Sequence, residues 1–251
     1  GHDSVIAILV AGGAGSRLLP FTRYTHKTLL PLHQRPVIDY ALGIIRRAGI
    51  KDIAIIGNRF IGQIAQHIGA GLEGENIHYV LEEEPKGVGH ALNLARPHVE
   101  GKRLLIYFSD NITSAELDEE VRRWGDSEEE PGAFLLGRVV EDPRAFGVGV
   151  LDEEEKLIDI VEKPENPPSR LAIGGIYLFD RSFWQLMDEE MAAKGDEFSI
   201  TDVNKRYIQN NKIELRILND EVWLDCGTPD NLLEGGKFAS AGVLSPSPCN
   251  I

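Results

Sequence analysis

An unbroken apolar run, Val5 to Val10, opens directly into a glycine-rich turn, Ala11 to Ser16. Consecutive apolar residues suit a strand buried on both faces, the kind found in parallel sheets covered by helices. Glycines after it let the backbone turn sharply and offer N–H groups to an anionic ligand. A fold built on this pair puts the turn at the carboxyl end of a strand, where open α/β sheets hold their ligands.

The rest of the chain continues that pattern. Val37 to Ala48 has helical spacing, with Ile38, Ala41, Leu42, Ile45 and Ala48 on one face, and Gly49 stops it. Asp52 to Gly57 reads as a second buried strand, Ile61 to Ile68 as a helix and Ile77 to Leu81 as a strand. Gly87 to Ala95 opens another helix, and Leu104 to Phe108 is a strand ending at Asp110-Asn111. Strands alternating with helices make βαβ units. After Gly132 the strands come closer together: Ala133 to Val139, Gly147 to Leu151, Ile173 to Phe179, Ile213 to Leu218 and Val222 to Leu224. Two helices, Ser182 to Met191 and Ser199 to Asn210, lie among them. The expectation is an α/β fold with a single Rossmann-like, mainly parallel mixed sheet flanked by helices. It occupies residues 1–240 as one domain, and residues 241–251, with two Ser-Pro pairs, form a mobile tail.

Composition narrows the partners. The formal charge is −14, with 40 acidic against 26 Lys and Arg residues, and no basic cluster marks a nucleic-acid face. The acidic runs Glu82–Glu84, Glu128–Glu130 and Glu153–Glu155 read as solvated surface. No apolar window is long enough to span a membrane. Gly1-His2 reads as an expression remnant rather than a targeting segment. Cys226 and Cys249 form neither a disulfide framework nor a metal motif, which suits a reducing cytoplasm. Assembly into identical subunits is left open. An acidic chain that binds polyphosphate must build a local cationic site or borrow charge from a metal.

The stretch Leu9 to Pro31, LVAGGAGSRLLPFTRYTHKTLLP, supplies such a site. Gly12, Gly13 and Gly15 follow the strand, and Arg17 and Lys27 bring two cations to them, a guanidinium fork and a point charge that suit a triphosphate. It is not a P-loop, because no Gly-Lys-Ser/Thr follows the glycines. It is not a dinucleotide fingerprint either, because Leu18 stands where the third glycine would be. Taken singly, Asp110 or Asp225 reads equally as a turn or cap residue, Glu162-Lys163 as an exposed charge pair, and Phe146 as core. Thr201 and Asp202 read as caps of the helix that follows.

Together these segments resemble the sugar nucleotidylyltransferase family of glucose-1-phosphate thymidylyltransferase, in its short form. The resemblance rests on Gly12 to Pro20 and Lys27 to Pro31, then Gly87-Val88-Gly89-His90-Ala91, Ser109-Asp110-Asn111 and Phe146-Gly147-Val148. Glu162-Lys163-Pro164, Gly174-Gly175-Ile176-Tyr177, Thr201-Asp202 and Trp223 to Thr228 follow in family order. The resemblance implies a glycosyltransferase-A-like nucleotidylyltransferase fold. It also implies an enzyme that joins an NTP and a sugar 1-phosphate to give an NDP-sugar and pyrophosphate. TTP or UTP and glucose 1-phosphate are the favoured substrates, and Mg²⁺ is the cofactor.

Site roles follow from the same resemblance. Ala11, Gly12, Gly13, Gly15, Ser16, Glu82 and Gly87 would bind the nucleotide, and Asp110 and Asp225 would hold Mg²⁺. Asn111, Phe146, Gly147, Glu162, Lys163 and Gly175 would bind the sugar phosphate, with Gly147 and Gly175 admitting the sugar ring close to the backbone. Arg17, Lys27 and Lys163 would align the substrates and stabilise spread negative charge while a phosphate oxygen attacks the α-phosphorus in line. Three departures stand out. Glu82 occupies a position usually held by Gln, Ser109 replaces Gly, and about 25 residues follow Cys226, so a regulatory site on a longer helical extension is not expected. A carboxylate only accepts hydrogen bonds, which suits guanine's adjacent donors. The alternatives are therefore a GTP-dependent mannose- or heptose-1-phosphate guanylyltransferase, or a catalytically silent nucleotide-binding regulatory subunit.

Overall fold

The structure, a computed structural model, describes residues 5–248. The readings of Gly1-His2 and of Cys249 lie outside the described residues. The first half runs β1 (Val5–Ala11), β2 (Pro31–Leu32), β3 (Arg35–Pro36), α1 (Val37–Arg47), β4 (Asp52–Gly57), α2 (Ile61–Ile68), β5 (Asn76–Leu81), α3 (Val88–Val99) and β6 (Arg103–Phe108). The second half runs β7 (Asn111–Thr113), α4 (Asp118–Asp126), β8 (Ala133–Val139), β9 (Gly147–Leu151), β10 (Leu157–Glu162), β11 (Leu171–Phe179), α5 (Phe183–Lys194), α6 (Ile200–Gln209), β12 (Ile213–Leu218), β13 (Trp223–Asp225) and α7 (Pro229–Ser240).

Nine strands make one mixed sheet. Around β1 it is parallel: β4 and β6 flank β1, and β5 lies beyond β4. The chain steps outward from β1 through β4 to β5, then returns to the other side of β1 as β6. The turns after β1 and β6 therefore meet at a topological switch point, the crevice that binds ligands in open α/β sheets. Side chains of β1 alternate between two cores. Val5, Ala7, Leu9 and Ala11 pack with Ile38, Leu42 and Ile45 of α1, whereas Ile6 and Ile8 pack with Ala91, Leu92 and Ala95 of α3. A strand buried on both faces needs the unbroken apolar run seen in the sequence.

Around β11 the sheet becomes antiparallel. The first residues of β11 pair with β9 and the last with β6, while β8 lies along its other edge. The change of partner falls where the β8 register shifts, at Gly174-Gly175, whose φ angles are 146° and 81°. Two glycines tolerate a backbone there that side chains resist. The short β13–β7 ladder pairs Asp225 with Asn111 and so ties the end of the chain's last strand to the end of β6.

The tail, expected to be mobile, is held down through its described part. Leu244 and Ser247 are buried. Ser247 N donates to Asp39 O at 2.7 Å, and Arg46 Nη1 reaches Ser247 Oγ at 2.7 Å. Both Ser-Pro pairs thus pack across α1. No helix among the described residues is long and apolar enough to cross a membrane.

Candidate active site

The glycine turn is held from below. Thr22 Oγ1 donates to Gly15 O at 2.7 Å, and Asn58 Nδ2, just past β4, donates to Gly13 O at 2.9 Å. Gly13 and Gly15 have φ of 89° and 65°. A Cβ on Gly15 would meet the Thr22 side chain at 2.8 Å, so the residue is fixed both by conformation and by space. Ser16 opens a short 3-10 turn that carries Arg17 outward.

Lys27 opens a further 3-10 turn directly after His26. His26 is fully buried, its Nδ1 accepts from Thr28 N at 3.1 Å, and its backbone N donates to Gln63 at 2.8 Å. Burial first, and the Lys27 charge second, push the His26 pKa down to about 4, so it is neutral at physiological pH. This neutral anchor aims Lys27 at the loop: a Cβ on Gly13 would lie 3.4 Å from Lys27 Nζ.

Opposite the loop stand the two carboxylates. Cys226 N donates to Asp110 O at 2.7 Å, and with Asp225 paired to Asn111 the two acidic residues lie side by side. Burial, then the Asp225 charge, raise the Asp110 carboxyl above its usual range, and Lys27 pulls the other way. Arg17 reaches this corner too: a Cβ on Gly227 would be 2.5 Å from Arg17 Nη2 and 3.0 Å from Asp225 Oδ1. Neither Arg17 nor Lys27 forms an ion pair or side-chain hydrogen bond among the described residues. Two cations and two carboxylates, drawn from distant parts of the chain, therefore converge on the switch point.

The pair suits a hard divalent cation. No group of three or more His, Cys, Asp or Glu residues able to hold a metal is present among the described residues. Two adjacent carboxylates are nevertheless what Mg²⁺ needs when water and substrate phosphates supply the remaining oxygens. Cys226 adds nothing to it, since burial pushes its thiol up to about 12.

Beside the glycine turn, Glu82 is only 6% exposed and its carboxyl makes no hydrogen bond or ion pair among the described residues. It lies against the loop: a Cβ on Gly12 would be 2.7 Å from Glu82 Oε1. A cavity of about 180 Å³ opens here, lined by Gly13, Thr22, Asn58, Phe60, Glu82 and Pro85 among others. Burial raises the Glu82 carboxyl, against the opposing effect of His90. Gly87, at φ 97°, caps α3 at the exposed rim.

The surroundings of Gly147 and Gly175 differ from the expectation that these glycines leave open space. A Cβ on Gly147 would meet Thr201 Oγ1 at 3.2 Å and Glu162 Oε2 at 3.4 Å, and one on Gly175 would collide with Asn111 Oδ1. The space left by these glycines is filled by protein side chains, which they position. Thr201 also differs from its reading as a cap. The capping box of α6 joins Ser199 and Asp202, while Thr201 Oγ1 donates to Glu162 Oε2. Asn111 Oδ1 accepts from Trp223 Nε1 at 2.9 Å. Lys163 is exposed at φ 43°, its backbone N donates to Phe146 O at 2.9 Å, and its ammonium makes no ion pair among the described residues.

Thr22, Asn58 and His26 carry no role in the sequence reading, and Trp223 enters it only as part of the Trp223 to Thr228 motif. His26 carried a signal, since it immediately precedes Lys27, and Asn58 follows the carboxyl end of a buried strand.

Comparison with known proteins agrees with this arrangement. A family model for nucleotidyl transferase matches residues 6–242. A glucose-1-phosphate thymidylyltransferase from Xanthomonas campestris pv. campestris (strain B100) is 36% identical over 234 residues, 92% of this chain and 79% of the relative. The low-salt glycan biosynthesis nucleotidyltransferase Agl11 of Haloferax volcanii is 29% identical over 92% of this chain and 65% of its own length. Among solved structures, a Bacillus anthracis protein provisionally assigned as a glucose-1-phosphate thymidylyltransferase, in complex with sucrose, superposes at a TM-score of 0.86 with 32% identity, covering 94% of this chain and 95% of that one. A UDP-glucose pyrophosphorylase complexed with UDP-glucose shares the fold at a TM-score of 0.81 and 22% identity, over 94% and 98% of the two chains.

Proposed function

The chain belongs to the nucleotidyl transferase family, and we propose that it transfers a nucleoside monophosphate from TTP or UTP to a sugar 1-phosphate, with glucose 1-phosphate favoured, releasing pyrophosphate. The observation that carries this reading is the convergence of Arg17, Lys27, Asp110 and Asp225 at the switch point. The relatives named as glucose-1-phosphate thymidylyltransferases support the choice of acceptor and base.

A sugar phosphate is already an anionic nucleophile, so the site needs no strong base. Its phosphate oxygen attacks the α-phosphorus and pyrophosphate leaves opposite. The obstacles are alignment and repulsion between anions. Arg17 and Lys27 sit where the triphosphate meets the glycine turn, and Lys163 on the acceptor side takes the attacking phosphate. A divalent cation on Asp110 and Asp225 would supply further charge neutralisation and orientation. Glu162, held by Thr201, accepts from sugar hydroxyls. Replacing Lys163 with Met should weaken sugar 1-phosphate binding while leaving NTP affinity nearly intact, because the residue follows β10, which β9, β11 and β6 separate from β1 and its glycine turn. Calorimetry checks this division, and equal losses for both substrates would remove it.

One observation favours a second reading. The buried Glu82 carboxylate accepts hydrogen bonds and cannot donate them while ionised, so GTP is the rival base. A competition assay of TTP, UTP and GTP with glucose 1-phosphate separates the two. The pyrimidine reading expects TTP and UTP to be used within about 200-fold of each other, since a methyl is worth about 1–3 kcal/mol. It also expects Glu82→Gln to improve TTP use or leave it unchanged. GTP outcompeting both pyrimidines, with that preference lost in Glu82→Gln, would establish the guanylyl reading instead.

A further inference from the structure

Arg138, near the end of β8, has no assigned role and an unusual setting. Its guanidinium carbon stands 4.3 Å from the centroid of the Trp223 ring and 5.7 Å from that of Phe146. Trp223 belongs to β13, two residues before Asp225, and its indole N–H holds Asn111. Phe146 belongs to the other lip of the acceptor side, where its carbonyl holds Lys163 N. The guanidinium thus lies between the two segments that form the acceptor subsite.

Its charge is not neutralised. The Arg138 side chain makes no ion pair or hydrogen bond among the described residues, and its Nε is buried without a partner. By contrast, Arg46 is paired with Glu75 and Arg123 with Glu214. Partial burial pushes the Arg138 pKa down to about 10, with Asp225 as the carboxylate acting against that change. A half-buried guanidinium left without a carboxylate costs stability unless something else satisfies its donors. Stacking on two rings supplies part of the compensation and leaves the N–H edge free.

We infer that Arg138 is a specificity-determining residue of the acceptor subsite, which stacks between Trp223 and Phe146 and donates its free guanidinium hydrogens to oxygen substituents on the sugar ring. This rests on the sugar 1-phosphate reading of the site. A fixed cation at the acceptor makes the enzyme sensitive to what the sugar carries: a hydroxyl, nothing, or a carboxylate.

The test compares kcat/KM for glucose 1-phosphate, xylose 1-phosphate and glucuronic acid 1-phosphate in the wild type, Arg138→Met and Arg138→Gln, together with KM for TTP. Gln is polar and planar and guards against a folding failure of the Met variant, which thermal melting detects. Both variants are expected to change the ratio among acceptors by about 10- to 200-fold, the range for contacts to one substituent, with the acidic acceptor losing most. KM for TTP is expected to stay within about twofold, since the triphosphate lies across the site. A uniform fall for all three acceptors is the signature of a merely structural arginine and overturns the inference while leaving the transferase reading in place. Wild-type protein that turns over none of the acceptors with any NTP overturns both.

Discussion

Asp225→Asn is expected to lower kcat by at least about 10²-fold while the melting temperature of the metal-free protein holds or rises. A metal that neutralises phosphate charge is worth several kcal/mol in the transition state, and each 1.36 kcal/mol is a factor of ten. The stability half of the expectation follows from the carboxylate pair. Burial and the Asp225 charge raise the folded-state pKa of Asp110. A carboxyl raised on folding contributes stability below its unfolded pKa and loses it as pH climbs through the folded value. At neutral pH the metal-free pair is therefore a liability, and removing one charge relieves it. Asn can keep the one bond that Asp225 makes to the turn, from Gly227 N to Oδ1 at 3.0 Å. Pyrophosphate release in saturating Mg²⁺ and melting without metal check the two halves. Near-normal turnover would take Asp225 out of the site.

Arg17→Ala is expected to cost about 10²–10³-fold in kcat/KM, the usual loss when one donor aimed at transition-state charge is removed. The melting temperature should hardly move. Arg17 is exposed and bonds to no described residue, and exposed substitutions of this kind stay within about 0.5 kcal/mol. Its guanidinium lies over Gly227 and beside Asp225, and its donors are spent on no other contact among the described residues. A large fall in melting temperature with activity preserved would make it a structural arginine.

What was legible in the sequence was what burial and turn chemistry write locally. The runs of β1, β4 and β8 are strands because both faces are covered, and Gly49 ends α1 at φ 87°. The helix Asp118–Asp126 was not legible, since Val121 and Trp124 are its only buried large apolar residues among six charged ones. Neither was β10, whose Leu157 and Ile160 need β9 beside them before they read as a strand. Candidate residues inside ordered motifs, such as Lys27, Asp110 and Asp225, are legible in the sequence, and the fold brings them close together. Arg138, Thr22 and Asn58 are not, because a lone polar residue carries no periodicity and gains its meaning only from what tertiary packing sets against it. The roles of Gly147 and Gly175 needed packing for the same reason: the sequence shows that space is left, and only the fold shows that Glu162, Thr201 and Asn111 fill it.

The central claim is that the convergent cations and carboxylates join two phosphate substrates. The most direct measurement is pyrophosphate release from the wild-type protein given Mg²⁺ with an NTP alone, with a sugar 1-phosphate alone, and with both, across the common NTPs and several sugar 1-phosphates. Release that requires both substrates, stops when the metal is chelated and is strongest with TTP or UTP and glucose 1-phosphate is the predicted result. Release from an NTP alone at the same rate, or none from any pair, would contradict it.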